Sequence, residues 1–212
     1  MEKKTKVIIG IVVAVITVII VAGLLIVQAI FNQETEKLKQ MSEEMATMEV
    51  TTKDGEKIEL EYYNFDDGRF FLKMPTSFEQ MDEETLNLKY NGENPPTFAF
   101  ANERGTVSIS LSLSEAKIKN EQIENFVKTT KEQMQAISDV QKVNIYKKDG
   151  RTIGELILVS KAEDTDIYNH MLVFSDKDCL RVINFNCTNE LEENWKEVGA
   201  FLMKSLMFPV EE

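Results

Sequence analysis

The chain contains 212 residues, and its formal net charge at pH 7 is −12. This length leaves room for one domain of ordinary size and a short additional segment. A strongly acidic protein is repelled by nucleic acid and by anionic lipid headgroups, so the composition disfavours direct binding of nucleic acid.

An uncharged apolar run occupies residues 7–31. Roughly 20 apolar residues in a helix cross a bilayer core, whereas the apolar region of a secretory signal peptide has only about 7 to 15 residues. The run therefore predicts a retained transmembrane helix. A signal peptide cleaved after Ala29 is the alternative, because the tripeptide Val27-Gln28-Ala29 has residues that suit a signal peptidase.

The charges that flank this run predict its orientation. Three lysines lie within residues 1–6, whereas Glu34 and Glu36 follow the run. By the positive-inside rule, residues 1–6 form a short cytoplasmic tail, and residues 32–212 lie outside the cytoplasm. The predicted localisation is the cell membrane, with a single span and an extracytoplasmic C-terminal domain.

Residues 32–48 are mostly polar, with apolar side chains spaced three, four and three apart at Leu38, Met41, Met45 and Met48. This spacing predicts a short juxtamembrane helix that packs on its own domain. It is shorter than a convincing coiled coil, so weak self-association of a stalk through these four side chains is the alternative.

From residue 49 onward, short apolar runs alternate with dipeptides that favour tight hairpin turns. These dipeptides are Asp54-Gly55, Asp67-Gly68, Asn91-Gly92 and Asp149-Gly150. In the clearest predicted strand, 106–113, apolar residues alternate with hydroxyl side chains, so one face is apolar. The other predicted strands cover 58–65, 69–74, 97–101, 142–147, 152–160, 167–174 and 179–187.

Two segments have the three- and four-residue spacing of amphipathic helices. In the first, Asn120 is the predicted N-cap; in the second, Asn189 and Glu192 form a predicted capping box. The apolar positions are Ile123, Phe126, Val127, Met134 and Ile137 in the first helix, and Leu191, Trp195, Val198, Leu202 and Leu206 in the second. Residues 49–212 therefore predict an α+β domain, a central antiparallel β-sheet flanked by helices.

The two cysteines, Cys179 and Cys187, lie at the ends of one predicted strand. In an extended strand their Cα atoms are about 26 Å apart, whereas a disulfide requires about 7 Å or less. We expect two free thiols packed as small apolar side chains on the face that carries Ile183 and Phe185. An intermolecular disulfide or a redox thiol is the alternative, with Arg181 as the basic neighbour considered.

The sequence offers no clear catalytic, cofactor-binding or metal-binding residues. The one histidine, His170, lies in a predicted strand and is expected to be structural. A thiol–imidazole pair with Cys179 or Cys187 is the enzymatic alternative. The acidic segments 164–166 and 176–178 lack the glycine and distal glutamate of a calcium loop, so we expect solvated turns. The expectation is no enzyme, no cofactor and no metal.

The order of motifs resembles the PsbP-like superfamily, which includes PsbP, DcrB and LpqN-type domains. The resemblance covers about residues 58–208. It rests on Met-Pro-x-x-Phe ending at Phe78, where the family usually has tryptophan, and on the closing helix with Trp195. Its other segments are PPTFAFANERGTVSISLS, QIENFVKTTKEQM, GRTIGELILVS and IYNHMLVFSDKDCLRVINFNC. The resemblance implies an α/β/α sandwich that binds proteins or helps to assemble complexes, without catalytic residues.

These inferences together predict a membrane-anchored, extracytoplasmic, non-catalytic domain that binds or helps to assemble a protein partner at the cell envelope. The alternative is a small-ligand or signal-sensing ectodomain. A deep apolar pocket with converging polar groups would favour the alternative, whereas an exposed apolar or aromatic surface would favour the protein partner.

Overall fold

A computed structural model of the chain describes residues 48–90, 95–162 and 165–209. The predicted transmembrane helix at 7–31 and the predicted juxtamembrane helix up to residue 47 lie outside the described residues. Among the residues that are described, no helix is both long and apolar enough to span a membrane.

Two antiparallel sheets form most of the domain. The smaller sheet contains, in spatial order, β1 (Met48–Thr51), β2 (Lys57–Phe65) and β3 (Phe70–Pro75). The larger has the spatial order β4-β5-β6-β10-β9-β8-β7. Its strands are β4 (Glu79–Gln80), β5 (Phe98–Ala101), β6 (Val107–Lys117), β7 (Ser138–Lys148), β8 (Arg151–Ser160), β9 (Ile167–Asp176) and β10 (Cys179–Thr188).

The strand β1 begins at Met48, which was predicted to be the last apolar position of the juxtamembrane helix. That assignment is wrong for Met48, because its backbone is paired across the smaller sheet with Leu60 of β2. The strands β1 and β4 were not predicted, since each is too short to show an alternating pattern.

The predicted hairpin turns that lie within the described residues are confirmed. Asp149 and Gly150 adopt φ angles of 49° and 76° between β7 and β8, the left-handed conformation that Asp-Gly supplies. A turn without glycine, Lys177-Asp178, joins β9 to β10 with φ angles of 50° and 55°. The predicted turn Asn91-Gly92 lies outside the described residues.

Three helices occur in the described part of the chain: α1 (Glu83–Lys89), α2 (Ile123–Met134) and α3 (Glu192–Lys204). The two predicted helices are confirmed, but their predicted caps are wrong. Asn120 begins a 3₁₀ turn and uses its side-chain oxygen to accept a hydrogen bond from the Thr152 backbone at 2.6 Å. A second 3₁₀ turn, Asn189–Leu191, precedes α3 without a side-chain cap.

Helices lie on both faces of the larger sheet, as predicted for an α+β sandwich. On one face, Val127 of α2 packs against Leu156 and Val173. On the other face, α3 and the smaller sheet enclose the main core, which includes Phe185 and Trp195. The smaller sheet, the turns of the larger sheet and the start of α3 therefore meet at one end of the domain.

Candidate binding cleft

A cleft of about 850 Å³ opens where four separate segments of the chain meet. They are the β1–β2 turn, the connection from β3 to β4, the β5–β6 turn and the start of α3. The lining residues are Asp54, Glu56, Ile58, Ser77, Phe78, Glu79, Asn102, Glu103, Arg104, Thr106, Leu191 and Trp195. Because no two of these segments are adjacent in sequence, the cleft exists only in the folded domain.

The inner wall of the cleft is aromatic. The ring centroids of Phe78 and Trp195 are 6.0 Å apart, and Trp195 also stacks on Phe185 at 6.5 Å. Phe78 is directed inward by a turn in which its backbone N–H donates to the Pro75 carbonyl at 3.0 Å. Phe78 and Trp195 are 9% and 5% exposed, and both residues line the cleft.

The rim of the cleft is acidic. Four carboxylates, those of Asp54, Glu56, Glu79 and Glu103, accompany a single cation, Arg104. All five residues are exposed. None of them forms an ion pair with another residue that the structure describes. A cleft lined by charges of mainly one sign concentrates the electric field and attracts groups of the opposite sign.

The carboxylate of Asp54 is held in position by neutral donors. Thr52 donates its hydroxyl to one oxygen at 2.5 Å, and Asn194 donates its side-chain amide to the other at 3.0 Å. Gly55 takes a φ of 94° in the same turn, as the Asp54-Gly55 dipeptide predicted. Neutral donors orient the carboxylate but leave its negative charge uncompensated.

The combination of an aromatic wall and an acidic rim suits a cation with an apolar stem. Lysine and arginine side chains have this form, since their methylene groups pack on apolar surface while the charged end stays near water. Their charged groups also interact favourably with aromatic faces. The cleft could therefore receive a basic segment of another protein.

The only histidine does not belong to this cleft. His170 is buried in β9, and its Nε2 lies 2.8 Å from Oε1 of Glu155, whose other oxygen accepts from Lys142 at 2.9 Å. Burial lowers the pKa of His170, and the hydrogen bond to Glu155 offsets only part of this effect. The Nδ1 atom has no hydrogen-bond partner. Neither ring nitrogen contacts a thiol, so the thiol–imidazole pair is not formed.

Both cysteines are free thiols, as predicted. Cys187 is fully buried, and burial raises the pKa of its thiol to about 12. Cys179 is only partly buried, and Lys117 of β6 donates to its sulfur at 3.1 Å. The basic side chain in contact with Cys179 is therefore Lys117 and not Arg181, the one basic neighbour that the sequence suggested, and the expected apolar packing holds for Cys187 but not for Cys179.

One of the acidic turn residues is not solvated. The Asp176 side chain is completely buried and accepts two hydrogen bonds from Arg69, at 2.9 and 2.7 Å. A second cation, Arg151, lies 3.6 Å away. The prediction of a solvated turn is wrong at this residue. Among the described residues, no group of three or more His, Cys, Asp or Glu side chains is arranged to hold a metal ion.

No protein-family model matches the chain, and no curated protein matches it. Several solved structures do match the chain. The cyanobacterial PsbP (CyanoP) of Synechocystis sp. PCC 6803 aligns with a TM-score of 0.51 and 12% identity over 71% of this chain and 92% of that chain. The chain therefore has a PsbP-like fold, as its motifs suggested.

Two further structures align with lower scores. LpqN of Mycobacterium tuberculosis, which is involved in cell envelope biogenesis, has a TM-score of 0.46 and 9% identity over 72% of this chain and 92% of that chain. The Ran-binding protein Mog1p of Saccharomyces cerevisiae has a TM-score of 0.43 and 12% identity over 73% of this chain and 97% of that chain.

Proposed function

We propose that this protein is a membrane-anchored, extracytoplasmic, non-catalytic domain that binds a basic segment of a protein partner in the cleft. The observation that carries the proposal is the cleft itself, in which the aromatic wall of Phe78 and Trp195 lies beneath four exposed carboxylates. The predicted anchor at residues 7–31 would hold this cleft at the membrane surface.

The energetics favour a segment with several cations over a single charged group. One exposed ion pair contributes about 0 to 1 kcal/mol, which is too little for a specific complex. Several such pairs, together with burial of the apolar stems against the aromatic wall, contribute a larger favourable free energy of binding. An anchor that confines both proteins to one surface raises their effective concentration, so a modest intrinsic affinity suffices.

The cleft does not favour the small-ligand alternative. Small-ligand sites are lined mainly by apolar and aromatic side chains, with only a few polar groups. This cleft instead has charged or polar residues at most of its lining positions. The non-catalytic part of the proposal is supported by His170, which is buried and whose Nε2 is engaged by Glu155.

A fluorescence titration tests the binding proposal, because Trp195 is the only tryptophan in the chain. The full-length protein in a nonionic detergent is titrated with a ten-residue peptide of alternating arginine and serine. A matched peptide with glutamate in place of arginine is the control. We expect a saturable change in Trp195 fluorescence with the basic peptide only, and weaker binding as salt is added.

Matched variants locate the binding. We expect Glu79→Gln with Glu103→Gln to weaken binding of the basic peptide, because both remove rim carboxylates. Glu132→Gln removes one charge from the exposed side of α2 and should leave binding almost unchanged. Equal affinities for all three proteins would show that the cleft is not the site.

The anchor is tested separately in cells. We expect the full-length protein to remain in the membrane fraction after alkaline extraction. We also expect protease added to cells with a permeabilised envelope but an intact cytoplasmic membrane to digest residues 48–209. Loss of the protein to the soluble fraction, with an N-terminus beginning at residue 30, would instead establish the cleaved signal peptide.

A further inference from the structure

A second, smaller pocket of about 310 Å³ lies at the other end of β2. Its walls are the aromatic side chains of Tyr63, Phe98 and Phe100, together with Leu113. The rings of Tyr63 and Phe100 meet edge to face with centroids 4.9 Å apart. Tyr63 is 38% exposed, which is unusual in this domain, where most aromatic rings belong to the core.

The β2–β3 turn adds two carboxylates to this pocket. Asp66 is already engaged, because it accepts a hydrogen bond from Arg181 at 3.1 Å. Asp67 is exposed and forms no ion pair within the described residues. The turn fixes the position of both, since Asp66, Asp67 and Gly68 take φ angles of 52°, 54° and 83°. The pocket thus combines aromatic walls with an uncompensated carboxylate.

We infer that this pocket is a second subsite, and that it holds one lysine or arginine side chain of the basic partner segment. The inference rests on the proposed function of the cleft. A cation is favoured over an apolar side chain for two reasons. It gains from the negative faces of the rings, and it compensates Asp67, whereas an apolar group would desolvate that carboxylate without a partner.

The spacing of the two sites defines the segment. The two sites adjoin at β4, where Glu79 lines the cleft and Gln80 lines the pocket. Their walls lie farther apart on β2, where Ile58 lines the cleft and Tyr63 lines the pocket, about 17 Å away along the strand at about 3.3 Å per residue. On β5, Phe98 lines the pocket, and Asn102 just beyond the strand lines the cleft, about 13 Å away. An extended segment that spans these distances therefore has its two basic groups about four or five positions apart, with about three or four residues between them.

The test uses two fluorescently labelled peptides and the full-length protein in a nonionic detergent. Both peptides contain an Arg-Arg pair and one further arginine in a Gly/Ser background. The spacer between them is four residues in the long peptide and one residue in the short peptide, with equal total length and charge. Binding is measured by fluorescence anisotropy, and we expect the long peptide to bind about fivefold more tightly.

Two variants of the pocket should remove this preference. We expect Tyr63→Ala and Asp67→Asn each to weaken the long peptide about fivefold and to leave the short peptide unchanged. Asparagine tolerates the left-handed backbone at position 67, so this variant keeps the turn. Leu88→Ala, which truncates a side chain that is 74% exposed on α1, is the matched control and should bind both peptides as the unmodified protein does.

Each other outcome overturns the inference in a distinguishable way. If Glu79→Gln weakens both peptides but Tyr63→Ala and Asp67→Asn do not discriminate between them, the pocket is not a subsite and the proposed function stands. If leucine in place of the single arginine preserves the advantage of the long peptide, the pocket takes an apolar side chain. If neither peptide binds, the proposed binding of basic segments fails together with the second subsite.

Discussion

The ring of Phe185 in β10 lies directly against the backbone of Gly199 in α3. A Cβ atom built at Gly199 would be 2.4 Å from Cε1 and 2.5 Å from Cδ1 of that ring. The ring is itself fixed between Tyr168 and Trp195. Glycine at this helical position is therefore required by packing, since alanine has the higher helix propensity.

We expect Gly199→Ala to destabilise the domain. The gain in helix propensity is about 1 kcal/mol, whereas forcing a methyl group into a packed core costs about 1 to 3 kcal/mol. Urea unfolding of the full-length protein, followed by Trp195 fluorescence, measures the difference. Glu197→Ala on the exposed side of α3 is the control and should change stability by less than about 0.5 kcal/mol. A Gly199→Ala protein more stable than the control would show that the ring moves aside without cost.

The buried carboxylate of Asp176 provides a second prediction. It lies between Arg69 and Arg151 with no exposed surface. We expect Asp176→Asn to lower the free energy of unfolding by about 1.5 to 3 kcal/mol, because it weakens the two charge-assisted hydrogen bonds that the buried carboxylate accepts from Arg69. Asp178→Asn, in the same turn but exposed, should have little effect. Similar urea midpoints for the two variants would contradict this account.

The sequence predicted the long elements well because their signal is local. The alternation in β6 and the helical spacing in α3 both result from one face packing on the core. The helix α1 was missed because it is a short helix capped by Asp82, whose side chain accepts from the Thr85 backbone at 2.7 Å, and it buries no side chain.

Features that depend on distant partners could not be predicted from spacing. In the sequence, Asp176 resembles an ordinary turn residue. Its partner Arg69 lies in the turn before β3, more than a hundred positions earlier, so the spacing of neighbouring residues could not predict the pair. Lys117 contacts Cys179 because the two residues are cross-strand partners of β6 and β10, next to a shift in the register between these strands. The cleft has the same origin, since four separate segments supply its wall and rim. The isolated tryptophan in an amphipathic helix, Trp195, was the one available signal.

The two thiols should differ in reactivity. Cys187 is buried with a thiol pKa of about 12, so only roughly one part in ten thousand is thiolate at pH 8. Cys179 is partly exposed beside Lys117. We expect a disulfide reagent to modify one thiol per folded chain and the second only after unfolding. Cys179→Ser should abolish the first reaction and Cys187→Ser should preserve it. Two equally fast reactions in the folded protein would contradict the burial of Cys187.

The last prediction concerns stability between pH 7 and 5. Burial lowers the pKa of His170 in the folded domain, and the partial compensation from Glu155 does not restore it. The unfolded chain binds a proton at this residue near pH 6.5. Below that pH the unfolded state therefore holds more protons than the folded state, and stability falls as pH falls towards the folded pKa. The slope is at most about 1.4 kcal/mol per pH unit.

This slope can be assigned to one residue, because the chain has a single histidine. The pKa of Glu155 is also lowered. Burial raises this pKa, but the hydrogen bonds from Lys142 and His170 together lower it by more than burial raises it. Its contribution is lost only as pH falls below the ordinary glutamate range near 4.5, which is outside this interval. We expect His170→Gln, which retains a donor for Glu155, to flatten the dependence of the urea midpoint on pH between 7 and 5. An unchanged slope in that variant would mean that His170 has the same pKa in the folded and unfolded states, which would contradict the lowered pKa.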